Sequence, residues 1–280
     1  MAISSKQFDL IRTLVQAESA LLLEPGKEYL VELRLNELAN QEGLTSINDL
    51  LRHFCADPSG EFGRKIVEAM LTSETTFFRD VRPFAFLKST VLPDLVARRA
   101  TDHSLNLWCA ASSGGQEPYS IAMLLRECFP QLAQWNVRLI ASDLSRDLLG
   151  RAREGKFTQL EVNRGLPATF LVRYFRKCGP DWQIQKEIRN MVDFQEINLA
   201  KPWPALPRLD VIFMRNVLIY LDSESRKQIL GRVRRVLKPD GYLFLGSSES
   251  MINMNEGFEP IAADVNACFR LRESMQSVHH

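Results

Sequence analysis

Cysteine and histidine are scarce in this 280-residue chain, with five of the first and four of the second. Cys55, Cys109, Cys128, Cys178 and Cys268 are scattered, odd in number and without any Cys-x-x-Cys spacing. That pattern argues against a disulfide framework and a zinc site, and fits a reducing compartment. His53 and His103 stand apart from any motif, and His279-His280 reads as the stub of a purification tag. No Gly-x-Ser-x-Gly elbow of the α/β-hydrolase type occurs. No apolar run approaches the ~20 residues of a membrane span. Met1 to Leu10 lacks the basic start and apolar core of a secretory signal. The expectation is a cytoplasmic protein with no direct membrane insertion. Charge of either sign is also not in excess: 35 basic residues against 34 acidic give a net +1, so no overall field draws the chain to nucleic acid. Repeats and low-complexity tracts are absent.

What the sequence does contain changes character near His103. From about Gln7 to Ala97 apolar residues recur at helical spacing, as in Val31, Leu35 and Leu38, with breaks at Pro25-Gly26, Gly43, Asp57-Pro58 and Pro83. Beyond His103, short apolar runs alternate with amphipathic stretches, which predicts an α/β fold with a parallel sheet. The runs are Leu105 to Cys109, Val137 to Ser142, Leu209 to Met214 and Tyr242 to Gly246. Pro118 to Phe129 and Ser223 to Leu237 are the intervening helices, the second stopped by Lys238-Pro239-Asp240-Gly241. Two alternating runs, Trp182 to Gln185 and Met191 to Phe194, predict a small inserted antiparallel subdomain. The expected division is a helical domain at 1–90 and an α/β domain at 91–275, with the insertion at about 168–197.

The first apolar run ends in Cys109-Ala110-Ala111-Ser112-Ser113-Gly114-Gly115-Gln116-Glu117-Pro118, a small-residue turn where backbone passes close to a ligand. There is no clean Gly-x-Gly-x-x-Gly and no Gly-Lys-[Ser/Thr], so a phosphate-rich nucleotide is disfavoured. Asp143, just past the second run, is placed to accept hydrogen bonds from ribose hydroxyls. Standing alone, Gly114-Gly115 would read equally well as a tight turn and Asp143 as a helix cap. Their order within one βαβ unit favours a ligand site.

Five segments in order resemble the successive motifs of the CheR chemoreceptor methyltransferases: Thr75 to Asp80, Ser113 to Ser120, Ala141 to Asp143, Arg215 to Tyr220, and Leu237 to Gly241. The resemblance covers nearly the whole chain. It implies a Rossmann-like S-adenosylmethionine methyltransferase domain with an N-terminal helical domain and a small inserted antiparallel β-subdomain. It also implies methyl transfer to glutamate side chains of bacterial chemoreceptors, with S-adenosylhomocysteine as product. By position, Thr75 and Arg79 would lie over the methionine end of the cofactor, Glu117 near its amino group and Asp143 on its ribose. Asn198 and Leu199 would frame the adenine, Arg215 and Asn216 would complete the pocket, and Tyr220 would sit near the methyl group. Ser73 adjoins this set, where the family often has Asn, and Gln116 stands where Glu is common. Arg79 and Tyr220 are the residues to which the resemblance gives catalytic roles. The bland alternatives are core packing for Phe77, Phe78 and Tyr220, a turn for Asn198 and a solvated charge for Arg79.

The chemistry suits these residue types. A glutamate carboxylate, with an ordinary pKa near 4.3, is already an anionic nucleophile at neutral pH, so no general base is required. The implied partners are the methylation helices of chemoreceptors, with room for a regulatory protein partner. Lys27, Arg34, Arg52, Arg64 and Lys65 of the helical region would face the acidic receptor helix. Between Arg146 and Arg189 ten basic residues against five acidic form a second candidate docking surface. No aromatic-studded RNA motif accompanies them. Rival readings are a small-molecule or nucleic-acid methyltransferase, of which methylation of a base amine is disfavoured by the absence of an [Asn/Asp]-Pro-Pro-Tyr element and by the near-neutral charge, and a non-catalytic cofactor sensor, against which intact Arg79 and Tyr220 count.

Overall fold

The computed structural model describes residues 3–249, 257–261 and 268–272; the His279-His280 pair and the expected domain end at 275 lie outside them. The chain forms two compact units.

The first unit comprises residues 1–73 with two later segments, 198–202 and 220–226. It is built on four helices: α1 (Ser5–Ser19), α2 (Glu28–Gln41), α3 (Ile47–Ala56) and α4 (Glu61–Met70). α1 starts at a reciprocal cap in which Ser4 and Gln7 satisfy each other's backbone N–H groups. Its buried Phe8, Ile11 and Val15 follow the three-and-four spacing that makes one apolar face. α2 buries Val31, Leu35 and Leu38, the residues whose periodicity marks it in the sequence. The later segments are tied in by main chain: Leu22 N–H donates to the Tyr220 carbonyl at 2.9 Å, and Leu21 bridges Leu221.

The second unit begins with α5 (Arg82–Phe86), a π-helical turn at Leu87–Val91, and α6 (Leu92–Arg98). Phe84, Leu87, Val91, Leu92 and Leu95 join the core of this unit rather than that of α1 to α4. The elements that follow are β1 (Ser104–Ala110), α7 (Gln116–Cys128), a 3-10 turn (Pro130–Gln134), β2 (Asn136–Asp143), α8 (Arg146–Glu154), β3 (Lys156–Phe157), α9 (Gln159–Asn163) and α10 (Ala168–Tyr174). Then come β4 (Phe175–Cys178), β5 (Asp181–Ile184), α11 (Lys186–Arg189), β6 (Val192–Glu196), β7 (Leu209–Phe213), a 3-10 turn (Leu218–Tyr220), α12 (Ser223–Val236), β8 (Leu237–Phe244), β9 (Phe258–Pro260) and β10 (Cys268–Leu271). A seven-stranded sheet has the order β6-β2-β1-β7-β8-β10-β9, parallel from β6 to β8 and antiparallel at β10 and β9. A separate antiparallel sheet has the order β3-β5-β4. The fold is therefore the Rossmann-like α/β class with an inserted antiparallel sheet.

Two expectations are corrected. The Met191 to Phe194 run is no part of the small sheet: β6 pairs in parallel with β2, Leu139 opposite Val192. As an edge strand covered on one face it shows the alternation of a half-buried strand, and alternation does not encode strand direction. Lys238 to Gly241 does end the preceding helix, which stops at Val236, but the strand expected from Tyr242 already begins at Leu237, so this stretch is also the first half of β8. A register shift between Leu209 and Val211 accommodates it. Gly241 lies so close to the Leu209 and Asp210 carbonyls that a Cβ would sit 3.1 Å from each.

Candidate functional site

From β1 the chain winds through β2 to β6 on one side, then returns to β7 and β8 on the other. The reversal falls between β1 and β7, and ligands of such sheets bind in the crevice that it opens at the strands' carboxyl ends. The small-residue turn after β1 and Arg215-Asn216 after β7 flank that crevice.

Eight non-glycine residues among those described have positive φ, and six lie in or within two residues of the motif segments: Phe78, Asp80 and Val81; Ala111 and Ser113; and Asn216. Such conformations cost about 1–3 kcal/mol each where the site does not favour them, and they gather at ligand sites. Hydrogen bonds hold them in place. Asp143, nearly fully buried, accepts from Ser113 N–H at 2.8 Å and Ser145 N–H at 3.0 Å, so one carboxylate fastens the turn after β1 to the turn after β2. Ser112 N–H donates to the Ser142 carbonyl at 2.8 Å, joining the same two loops.

Arg215 joins the remaining segments. Its side chain is 1% exposed. One guanidinium nitrogen donates to Glu117 at 2.5 Å; another donates to Asp80 at 2.6 Å and to the Arg79 carbonyl at 3.1 Å. The cation also lies 5.8 Å from the Phe84 ring centroid. Glu117 takes a second partner, the Cys109 thiol, at 3.1 Å. Burial, with the nearby Glu117 carboxylate, pushes that thiol well above its ordinary pKa, so it remains a neutral donor.

Phe77 is fully buried against Phe157 and Phe175, and Phe78 packs on Phe84 and Phe170; Phe77 is core rather than cofactor wall. Phe78 N–H donates to the Ser120 hydroxyl at 3.0 Å, fixing the segment to α7. Gly165, between α9 and α10, is at φ +85°, and a Cβ there would fall on the Phe77 carbonyl.

The structure thus brings Glu117, Asp143, Arg215 and Asn216 to the loops around one crevice. Thr75 and Arg79 belong to the same unit; both are half-buried, and Arg79 donates to the Glu74 carbonyl at 2.9 Å. Ser73, Asn198, Leu199 and Tyr220 belong to the first unit. There the Asn198 carboxamide donates to the Glu18 carbonyl at 2.7 Å and accepts from Ala200 N–H at 2.9 Å, a local turn role. Sequence reasoning assigns no individual role to Asp80 or Ser112, although both stand in segments read there as motif or ligand-side turn, and none to Glu249. No residue pattern marks Glu249 in advance.

Three buried side-chain polar atoms lack a protein partner among the described residues: Ser112 Oγ, Gln116 Oε1 and Arg215 Nε. Ser112 and Arg215 stand in the loops after β1 and β7, and Gln116 opens α7 directly after the first of these loops. Two acceptors and one donor, set beside carboxylates and without any Gly-Lys-[Ser/Thr] element, fit a polar ligand that carries ammonium, carboxylate and hydroxyl groups rather than a chain of phosphates. S-Adenosylmethionine is such a ligand. Among the described residues no group of three His, Cys, Asp or Glu could hold a metal ion, and no helix is long and apolar enough to cross a membrane.

Residues 73–267 match the family model of the CheR methyltransferase SAM-binding domain, and residues 6–71 that of the CheR methyltransferase all-α domain. Curated relatives agree over nearly full length. The chain is 37% identical to chemotaxis protein methyltransferase Cher2 of Pseudomonas putida, covering 93% of this chain and 96% of the relative. It is 37% identical to chemotaxis protein methyltransferase 1 of Pseudomonas aeruginosa, over 97% and 100%. It is 33% identical to a chemotaxis protein methyltransferase of Vibrio parahaemolyticus, over 97% and 99%. With both family domains matched in order and full-length relatives above 30% identity, the chain belongs to the CheR methyltransferase family and carries its S-adenosylmethionine-binding domain.

Proposed function

We propose that this methyltransferase esterifies glutamate side chains on the cytoplasmic methylation helices of bacterial chemoreceptors. The observation that carries the reading is the buried Arg215 clamp with its neighbouring unpartnered polar atoms at the β1/β7 crevice, in a chain whose relatives are named chemotaxis methyltransferases. S-Adenosylmethionine, when bound, supplies an electrophilic methyl group. The protein's task is then positioning, which is worth ~7 kcal/mol or more when reacting atoms are held in line and water is kept out. Glu117 and Asp143 hold the ammonium and ribose hydroxyls, Asn198 and Leu199 frame the base, and Ser73 and Thr75 line the methionine end. Arg79 and Tyr220 orient the acceptor carboxylate while leaving one of its lone pairs free. A tighter grip would stabilise the ground state and slow transfer. Radiolabelled methyl transfer to receptor-containing membranes, scored as base-labile methyl ester, tests the reading; label that resists base would place the methyl group on another kind of acceptor.

Docking onto the acidic receptor helix needs available cations, and the five basic residues singled out for this role are all engaged within the helical unit. Arg34 donates to the Met70 carbonyl at 2.6 Å and the Leu71 carbonyl at 3.2 Å. Lys65 pairs with Glu42 at 2.7 Å and Glu61 at 2.8 Å, Arg64 with Glu68, Arg52 with Asp49 and Lys27 with Glu24. Lys27 and Arg52 are exposed, and exposed pairs hold by only ~0–1 kcal/mol, so these two can be exchanged for a partner's carboxylates at little cost. Arg34 serves the fold.

Two outcomes separate binding from chemistry. Tyr220→Phe removes only a hydroxyl, so turnover should drop while S-adenosylhomocysteine affinity stays nearly constant; turnover like the parent's would remove that hydroxyl from the mechanism. Asp143→Ala should weaken S-adenosylhomocysteine binding by at least ~1.5 kcal/mol, through loss of a charge-assisted hydrogen bond and loosening of both turns that it fastens. Calorimetry measures this, and unchanged affinity would place the ribose elsewhere.

A further inference from the structure

Glu249 follows β8 and is 3% exposed. One carboxylate oxygen accepts from Val217 N–H at 2.8 Å and Leu218 N–H at 2.7 Å, with Ile219 N–H at 3.4 Å. The other accepts from Asn216 N–H at 2.8 Å and Gly246 N–H at 2.5 Å. Successive backbone N–H groups converging on one anion form a nest, and the left-handed Asn216, at φ +57°, produces the concavity. Gly246 permits the close approach: a Cβ there would stand 2.9 Å from both the Asn216 nitrogen and the Glu249 carboxylate. A buried carboxylate that forms no ion pair among the described residues is costly unless hydrogen bonds satisfy it, and here five backbone N–H groups do.

We propose that Glu249 is a positioning residue for the cofactor pocket: its carboxylate, set in the nest, fixes the 216–219 loop, and through it Asn216 at the mouth of the β1/β7 crevice. This rests on the reading of Asn216 as a pocket residue. The chemistry requires a carboxylate rather than any acceptor of that shape. An amide has one acceptor oxygen, so Glu249→Gln turns an N–H₂ donor toward either the Asn216 and Gly246 pair or the Val217 and Leu218 pair. Donor then faces donor, and the loop must open.

Two readouts on the cofactor-free protein and one on binding decide the matter. In Glu249→Gln, amide hydrogen exchange at 216–219 should accelerate at least tenfold while the core strands β1 and β2 keep the parent's protection. A loss of global stability would instead raise exchange everywhere. S-Adenosylhomocysteine affinity by calorimetry should fall at least tenfold. Parent-like exchange at 216–219 together with parent-like affinity overturns the proposal. If exchange accelerates but affinity is unchanged, the loop is fixed by Glu249 but does not shape the pocket, and the proposal fails as well. Should Glu249→Gln not fold, Glu249→Asp keeps both oxygens on a shorter arm and is read the same way. It should show roughly threefold effects confined to 216–219, and none there counts against the proposal. These outcomes do not depend on the methyl acceptor, so failure of the receptor assay with the parent protein is a separate result.

Discussion

Arg215→Ala is expected to lower the unfolding free energy of the cofactor-free protein by ~3–5 kcal/mol, the range for removing one partner of a buried pair. The reason lies in what is left behind. Glu117 is 8% exposed and would keep only the weak Cys109 thiol donor. Asp80 and the Arg79 carbonyl would lose the donor that holds the 79–81 segment, where Asp80 and Val81 both have positive φ. Strained residues persist only where their surroundings over-determine them, so that segment should relax. S-Adenosylhomocysteine affinity should fall at least tenfold beyond what stability explains, because the loops after β1 and β7 would no longer share a fastening. Arg215→Lys should recover part of the stability: it restores a charge near Glu117, but one ammonium cannot serve Glu117, Asp80 and a carbonyl in the geometry of a planar fork. Urea unfolding and calorimetry on the three proteins test this. An Arg215→Ala protein with the parent's unfolding midpoint would show that Glu117 and Asp80 are satisfied by water instead.

The sequence carries the elements of this fold more plainly than their pairing. Val31, Leu35 and Leu38 announce α2 by spacing alone, and the apolar runs locate β1, β2 and β7 to within about a residue. Direction and partnership are different quantities. Met191 to Phe194 alternates as an antiparallel strand would, yet β6 lies parallel beside β2, because a period of two reports burial of one face and nothing about the neighbour. Lys238 to Gly241 has turn composition but is held in β8 by contacts with Arg99 and Asp210, more than 25 residues away in sequence. At the site, side chains that stand in motifs can be named from the sequence, whereas residues acting through backbone N–H groups cannot. Asp143 is suggested by its place after β2, but its role as a double acceptor for Ser113 and Ser145 emerges only from the turn geometry. Glu249 is a single acid among serines, and nothing local shows that five amides converge on it.

The second large effect lies near the amino end of β7, about 16 Å along the strand from Arg215 at ~3.3 Å per residue. Asp210 is completely buried and accepts from Arg99 at 2.7 Å, Lys238 at 2.8 and 3.0 Å, and Asn106 N–H at 2.8 Å. Arg99 also makes a forked contact with Asp240 at 2.7 and 2.9 Å. One carboxylate thus pins α6, β1, β7 and β8, including the stretch of β8 whose composition favours a turn. Asp210→Ala should cost ~3–5 kcal/mol of stability. S-Adenosylhomocysteine affinity should remain close to the parent's, because the crevice lies at the other end of the strands. That dissociation separates this cluster from Arg215, whose loss should damage both. The cluster also sets an acid limit. Hydrogen bonding to Arg99 holds the Asp240 carboxyl below its ordinary 3.8, so its contribution is present above about pH 3.8 and is lost as pH falls through the lowered value. The Arg99 pKa is raised by the same contacts, and its share, complete at every pH below the ordinary arginine value, does not vary in the working range. The parent's urea midpoint should therefore fall on acidification below about pH 4, and that of Asp240→Asn should start lower at pH 6 and fall less steeply. Parallel acid curves for the two proteins would mean that the Arg99 fork adds nothing to stability and that Asp210 alone holds β8 in register.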